Sequence, residues 1–183
     1  MAKEYINTEI DGCTVELSPI IGDLSAGVLH LLPGGSENPE WYGGAIRDIY
    51  GFFATEKDTL RGGHYHPVLD ELFFTLSGTA LWILSDFRSD SKTKGKTMAL
   101  ILGWQAPEKT CGTPSYTVQE TQSLARLRVP AGVYHAIAPL STDGFTAVAI
   151  GTTPYDKSDY RYPPIDEVPG MDETLKQFGI TIK

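Results

Sequence analysis

From Cys13 to about residue 150, short runs of β-branched and aromatic residues alternate with glycine, proline, aspartate and serine. Apolar runs of this length with turn-forming residues between them are typical of strands joined by tight turns. No segment before residue 154 shows the sustained 3.6-residue period of an amphipathic helix. The pattern therefore predicts an all-β fold.

Two pairs of apolar runs predict β-hairpins. In the first pair, residues 71–76 and 80–84 are separated by Ser-Gly-Thr, with glycine where a positive φ is needed. In the second pair, residues 134–137 and 145–150 are separated by a Ser-Thr-Asp-Gly turn. We expect each pair to form its own hairpin and the two hairpins to face each other.

The segments outside these runs complete the organisation of the chain. Residues 103–122 predict a long loop with room for one short strand, and residues 171–178 predict a helix that ends at a glycine and packs on the barrel exterior. No repeat or linker stands out. We expect one domain over residues 1–183, with an N-terminal arm at 1–44, a barrel core at about 45–153 and a C-terminal tail at 154–183.

Composition narrows the class of protein. Hydrophobic residues make up 41% of the chain and charged residues 21%, which is ordinary for a globular protein. The longest apolar runs fall far short of the roughly 20 residues of a membrane span. The charged N-terminus also lacks the apolar stretch of a signal peptide. These features predict a cytoplasmic protein that does not interact with a membrane.

Charge argues against a nucleic-acid partner, and cysteine content argues against a disulfide framework. A net charge of -8, with no dense run among the 15 lysines and arginines, argues against nucleic acid as a partner. Cys13 and Cys111 would form one disulfide bond at most, and in a reducing compartment they are expected to be two unpaired thiols, with a ligand or reactive-thiol role as the alternative.

Two of the four histidines, His64 and His66, stand one residue apart at the start of the first predicted hairpin. Side chains at i and i+2 of a strand point to the same face, so both imidazoles are directed into one space. Glu71 follows five residues later, and His135 follows a Pro-Ala-Gly turn that can bring a distant strand alongside the first. These four side chains are candidate ligands of one divalent metal ion.

Three imidazoles and one carboxylate suit zinc, manganese, iron or nickel, whereas calcium and magnesium prefer cages of oxygen ligands. The donor set leaves the choice among the four transition metals open. The alternative interpretation is that the histidines are ordinary core or surface residues.

The same residues resemble the two cupin signatures. Residues 63–78 match HxH, four residues, E, six residues, G, and residues 130–135 match PxGxxH. Pro139 stands where an asparagine is often found. The resemblance implies a jelly-roll β-barrel whose metal is held by the four candidate ligands. It also implies a homodimer formed through exchanged edge strands, to which the segment before residue 45 contributes.

Within the cupins, residues 60–66 (LRGGHYH) resemble the RG-x-H-Y segment of the deoxysugar 3,5-epimerases, which act on dTDP-4-keto-6-deoxyglucose. Residues 129–141 resemble the P-x-G-x-x-H-G-F-x-x-L-S strand of that family, and residues 152–156 resemble its T-D-Y-Y turn. The resemblance covers roughly residues 45–165. The RGGHYH segment and the downstream glutamate also resemble the metal-containing cupin domain of capsular-polysaccharide epimerases.

Two departures separate this sequence from the deoxysugar epimerases. Their base is the histidine of RG-x-H without a metal, whereas His64 here has His66 and Glu71 beside it, and a metal ligand cannot also serve as that base. Their acid is a tyrosine on the strand before the T-D-Y-Y turn, where residues 148–151 offer no hydroxyl. The reaction would therefore need another proton-transfer residue.

The candidates for that role are His30 and three tyrosines that are also candidate packing residues. For substrate binding, the planar donor fork of Arg61 is expected to pair with a phosphate, with a surface salt bridge as the alternative. Trp41 and Trp104 lie in loop-like segments and are candidates for stacking on a base or a sugar ring. The tyrosines are Tyr65, Tyr134 and Tyr116, the last of which is also a candidate substrate-binding residue.

The resemblances imply a metal-dependent enzyme of the epimerase or isomerase type, acting on a small molecule such as a keto-sugar or a nucleotide-sugar. One alternative is a metal-dependent dioxygenase or other small-molecule oxidoreductase, because the same ligands also hold iron, manganese or nickel. The other alternative is a non-catalytic sugar-binding cupin whose metal stiffens the barrel.

Overall fold

The computed structural model describes residues 4–29, 31 and 46–182, and strands dominate this part of the chain. None of its helices is both long enough and apolar enough to cross a membrane. The helices are α1 (Val118–Thr121) and α2 (Met171–Gln177), with single 3-10 turns at Lys157–Asp159 and Ile165–Glu167. The strands are β1 (Glu4–Asn7), β2 (Thr14–Pro19), β3 (Ile21–Gly22), β4 (Gly27–Val28), β5 (Asp48–Ala54), β6 (Arg61–His64), β7 (Glu71–Asp86), β8 (Thr97–Gly103), β9 (Ser115–Thr117), β10 (Ser123–Val129), β11 (Val133–Pro139) and β12 (Phe145–Gly151).

Two sheets form the barrel, and they share the long strand β7. The first sheet has the order β1-β2-β10-β7-β12-β5 and uses residues 71–78 of β7. The second sheet has the order β6-β11-β7-β8-β9 and uses residues 79–86. All neighbours are antiparallel except β8 and β9. This arrangement confirms the predicted all-β jelly-roll barrel.

The first predicted hairpin is wrong, because residues 71–86 form one continuous strand. Gly78 bends this strand from one sheet into the other instead of reversing it. Its φ is +68°, and a Cβ at this position would collide with the carbonyl oxygen of Gly144. A glycine inside an apolar run marks either a turn or a bend, and the sequence pattern does not distinguish the two.

The second predicted hairpin is also wrong, although its two strands are present. β11 and β12 are joined by a turn in which the Gly144 amide donates to the Ser141 carbonyl at 3.1 Å. They do not pair with each other, because β11 pairs with the second half of β7 and β12 with the first half. The turn therefore connects the two sheets of the barrel.

The core between the sheets is aromatic. The ring of Phe52 packs edge-on against Phe73, Trp82 and Phe145, with centroids 6.0, 6.3 and 6.0 Å away. These side chains come from both sheets, so their burial holds the sheets together.

Two of the segments predicted outside the barrel strands, the C-terminal helix and the long loop, are present in the structure. The predicted C-terminal helix is α2, which buries Met171 and Leu175 on the outer face of the second sheet against Leu81 and Ile83. The predicted loop at 103–122 contains the short strand β9 and the single turn of α1. The predicted homodimer remains a prediction. Residues 32–44 of the proposed arm at 1–44 lie outside the described residues, whereas β1 and β2 of the same segment pair into the first sheet and so belong to the barrel.

Both cysteines are free, as expected. Cys13 is buried in the core between the sheets. Burial raises the pKa of its thiol to about 12, although nearby Arg88 acts in the opposite direction. A thiol of this kind stays protonated and unreactive at neutral pH.

A buried carboxylate at the end of β7 organises the loop to β8. Asp86 accepts hydrogen bonds from Arg88 Nη2 at 2.7 Å, from Thr93 Oγ1 at 2.6 Å and from Ser91 Oγ at 2.5 Å. Burial alone would raise the pKa of Asp86, but these hydrogen bonds outweigh burial and hold the pKa well below its usual range.

We expect Asp86→Asn to lower the free energy of unfolding by about 2 kcal/mol at pH 7, because hydrogen bonds to charged groups contribute roughly 1.5–3 kcal/mol. The pKa of Asp86 is lower in the folded state, so its contribution is present above about pH 4 and is lost as the pH falls toward the folded pKa. Urea unfolding at pH 7 and pH 3 measures this, with exposed Asp90→Asn as the control. An equal loss of stability in wild type and Asp86→Asn between the two pH values would contradict it.

Candidate functional site

Four side chains converge inside the barrel. His64 ends β6 and is the register partner of His135 on β11, whereas Glu71 begins β7. The nearest nitrogens of His64, His66 and His135 all lie within 4.8 Å of one another. Glu71 Oε2 lies 3.4 Å from Nε2 of both His66 and His135. The structure thus brings together the four residues that the two signatures indicate.

Two backbone contacts place these side chains. A Cβ on Gly62 would lie 2.7 Å from the carbonyl oxygen of His135, and its φ is +71°, so β6 approaches β11 only with glycine here. The amide of Gly132, in the Pro-Ala-Gly turn, donates to the His66 carbonyl at 2.7 Å. Gly62 of the RGGHYH segment and Gly132 of the second signature therefore shape the backbone that carries the histidines.

Hydrogen bonds orient two of the imidazoles. His66 Nδ1 lies 3.1 Å from the Asp159 carbonyl, and His135 Nδ1 lies 3.4 Å from the Val133 carbonyl. The Nε2 atoms of His66 and His64 are buried and have no hydrogen-bond partner among the described residues. Buried polar atoms without a partner are rare, and His66, held at Nδ1 with an Nε2 that makes no hydrogen bond, has the usual arrangement of a metal ligand. His64 has no hydrogen-bond partner at either ring nitrogen within the part of the chain that the structure describes. The donor set therefore fits a transition metal ion.

Burial sets the charge states of the cluster. It lowers the pKa of His64 to about 4, with His66 adding a smaller effect, and it lowers the pKa of His135 well below its usual value. Burial raises the pKa of Glu71 to about 7, opposed by the hydrogen bond from Tyr50. The two imidazoles are thus neutral at pH 7, which is the form that binds a metal.

A cavity of about 330 Å³ opens next to the cluster. The ring centroid of Tyr160 lies 4.9 Å from that of His64 and 4.3 Å from that of His66, while Tyr162 stacks on Tyr160 at 5.9 Å. Arg61, which is exposed, also lines the cavity. The other lining residues are Tyr50, Phe52, Leu60, Gly62, Phe73, His135 and Ile137.

The structure does not bring Tyr65 and Tyr134 to this cavity. Each is adjacent in sequence to a histidine of the cluster, and successive side chains of an extended chain point to opposite faces. The ring of Tyr65 stacks on that of Phe87 with centroids 5.2 Å apart, and Tyr134 is buried among the apolar side chains that lie between the second sheet and α2. Their positions do not support a role in proton transfer.

The remaining sequence candidates also lie apart from the cavity or outside the described part of the chain. Tyr116 on β9 packs against the core between the sheets, and Trp104 packs against apolar side chains of the first sheet. Neither lines the cavity. His30 and Trp41 lie outside the described residues.

Four residues at the site were not predicted from the sequence: Tyr50, Asp159, Tyr160 and Tyr162. The strand period places Tyr50 on one face of β5 with Phe52. Ile49 and Phe53 on the other face are also apolar, so the sequence does not mark which face points inward. The three C-terminal residues left no comparable signal. They reach the site because the backbone of Tyr65 pairs with that of Arg161, almost a hundred residues away.

Comparison with known proteins gives one sequence relative. No family model matches the chain. The spore coat polysaccharide biosynthesis protein SpsL of Bacillus subtilis (strain 168) is 29% identical over 116 residues. This alignment covers 63% of the chain and 64% of SpsL, less than two thirds of either protein.

Solved structures match over most of the chain. A dTDP sugar isomerase from Desulfovibrio desulfuricans G20 has a TM-score of 0.67 at 20% identity, covering 87% of this chain and 90% of that one. RmlC from Streptococcus suis, solved with dTDP-D-xylose, has a TM-score of 0.69 at 18% identity, covering 100% and 88%. The chain therefore has the cupin fold. Its structural neighbours with this fold include dTDP-4-dehydrorhamnose 3,5-epimerases.

Proposed function

We propose that this chain is a metal-binding cupin of the epimerase or isomerase type that acts on a keto-sugar or nucleotide-sugar. The observation that carries the proposal is the cluster of three histidines and Glu71 beside a cavity that Arg61 also lines. The names of SpsL and of the structural neighbours, which refer to polysaccharide biosynthesis and dTDP-sugars, support the same substrate class.

His64, His66, Glu71 and His135 would hold one divalent transition metal ion, with zinc, manganese, iron and nickel as candidates. When bound, such an ion polarises a carbonyl or enolate oxygen and thereby acidifies the adjacent C–H bond. Neutral imidazoles are suited to this role because they are already in the form that binds a metal, whereas Glu71, whose pKa burial raises to about 7, would bind the ion as its deprotonated carboxylate.

Other cavity residues would bind and orient the substrate. The exposed guanidinium of Arg61 can bind a phosphate by donating hydrogen bonds from its planar fork. Leu60 and Ile137 give the cavity an apolar wall that excludes water from the reacting carbon. Tyr160 and Tyr162 form a stacked pair that offers ring faces to a sugar or a base.

Residues 148–151 of β12 carry no hydroxyl group, so a residue from another segment would transfer the proton. Tyr160 is the strongest candidate, because it lines the cavity and its ring lies against His64 and His66. Burial, with a contribution from Glu71, raises the pKa of Tyr160 to about 12, so its hydroxyl is protonated at neutral pH. A protonated phenol in this position can deliver a proton to the substrate.

The test of this function is incubation of the metal-loaded protein with a dTDP-4-keto-6-deoxy sugar in deuterated water. We expect deuterium at carbon 3 or carbon 5, and we expect Arg61→Ala to raise KM at least about tenfold, since a charge-assisted bidentate pair is lost. Lys94→Ala removes an exposed positive charge that does not line the cavity and serves as the control. The absence of deuterium from both carbons would refute the epimerase proposal.

The donor set also supports the second candidate, a dioxygenase or other oxidoreductase, because three histidines and one glutamate hold iron with open positions. Oxygen uptake that depends on ferrous iron, and is not restored by zinc, would favour it over the epimerase. Tight metal binding without turnover in either assay would favour a non-catalytic sugar-binding cupin.

A further inference from the structure

One carboxylate oxygen of Glu71 accepts a hydrogen bond from a residue outside both cupin signatures. The hydroxyl of Tyr50, on β5, donates to Glu71 Oε1 at 2.6 Å. The other oxygen, Oε2, faces His66 and His135 at 3.4 Å from each Nε2. The carboxylate is 1% exposed, so water does not compete for these positions. The two oxygens of Glu71 therefore have different surroundings.

The fold allows this contact because the strand between the two residues carries small side chains. β12 lies between β5 and β7, with Ala149 opposite Tyr50 on one side and Gly151 opposite Glu71 on the other. Ala149 and Gly151 project little from the inner face of β12, so the Tyr50 ring has space to extend across this strand toward β7. A large side chain at residue 149 would fill the path that the ring follows.

We propose that Tyr50 is a positioning residue for the metal ligand Glu71. Its hydrogen bond holds Oε1 and presents only Oε2 to an ion bound by the three histidines. This inference rests on the proposed metal-binding function. Outer hydrogen-bond partners of metal ligands typically account for roughly 10- to 100-fold in metal affinity. A tyrosine that only packed in the barrel would contribute none of this affinity through its hydroxyl.

The test is Tyr50→Phe, which removes the hydroxyl and keeps the ring. Competition with a chromophoric chelator, using Co²⁺ and then Zn²⁺ as probes, is expected to show roughly 10- to 100-fold weaker binding. The visible absorption spectrum of bound Co²⁺ is expected to change, because release of Oε1 alters how the carboxylate meets the ion. Tyr116→Phe is the matched control, since it removes the hydroxyl of a half-buried tyrosine that packs against the core and does not line the cavity.

A double-mutant cycle with Glu71→Ala separates positioning from a general effect on the barrel. Without the carboxylate, Tyr50→Phe is expected to change the remaining affinity less than about twofold. Equal affinity and an identical Co²⁺ spectrum in wild type and Tyr50→Phe would overturn the inference, as would full additivity in the cycle. Failure of the wild-type protein to bind either ion would instead refute the proposed function. Melting temperatures of the metal-free proteins show whether each variant is folded.

Discussion

Replacing His135 by alanine is expected to weaken binding of a divalent transition metal more than about 100-fold, because loss of even an outer hydrogen-bond partner costs roughly 10- to 100-fold. His135 is central to the cluster. It pairs in register with His64, and its Nε2 lies 3.4 Å from Glu71 Oε2. Its removal leaves two imidazoles and one carboxylate, and it opens space that water enters. Chelator competition on the purified variant measures the change.

The matched control for this prediction is Tyr134→Phe, next to His135 on the same strand. Tyr134 is fully buried on the opposite face, where its hydroxyl has no hydrogen-bond partner among the described residues. We expect this variant to bind metal as tightly as the wild type. Undiminished binding by His135→Ala, or an equal loss in both variants, would show that His135 is not a ligand.

Replacing Trp82 by alanine is expected to lower the free energy of unfolding by about 3–5 kcal/mol, the usual cost of deleting a buried aromatic side chain. Trp82 is 0% exposed and packs against Phe52 and Phe73, so the deletion leaves a cavity between the two sheets. For a chain of this length, the melting temperature should fall by roughly 10 °C. Calorimetry of the metal-free protein measures both quantities.

Trp82→Phe refines the same prediction. The indole nitrogen of Trp82 is buried without a hydrogen-bond partner among the described residues, so phenylalanine removes an unpaired polar atom while retaining an aromatic ring. We expect it to cost less than half as much as alanine. A stability of Trp82→Ala within about 1 kcal/mol of the wild type would contradict the view that the core between the sheets holds the barrel together.

The candidate ligands could be predicted from the sequence because their placement depends on local rules. The period of two along a strand puts His64 and His66 on one face, and the turn before His135 contains the glycine whose amide contacts the His66 carbonyl. The same rule, applied to the neighbours of these histidines, excludes Tyr65 and Tyr134 from the cavity. That exclusion follows from the strand period alone.

Other features depend on contacts between distant segments. Gly78 bends β7 rather than ending it, and the reason is the nearby carbonyl of Gly144, which no local pattern indicates. The polar contacts around the cluster have the same origin. Tyr50 reaches Glu71 across β12, and Asp159 contacts His66 from the C-terminal tail. Hydrogen bonds between residues this far apart in sequence form only when the barrel is assembled, so no local sequence pattern predicts them.

We propose that three histidines and one glutamate bind a single transition metal ion. X-ray absorption spectroscopy on the purified protein, with elemental analysis of the same sample, tests it most directly. We expect about one ion per chain, surrounded by imidazole nitrogen and carboxylate oxygen at roughly 2.0–2.2 Å. The absence of a stoichiometric metal after incubation with zinc, manganese, iron and nickel in turn would contradict the claim, as would a metal bound through sulfur.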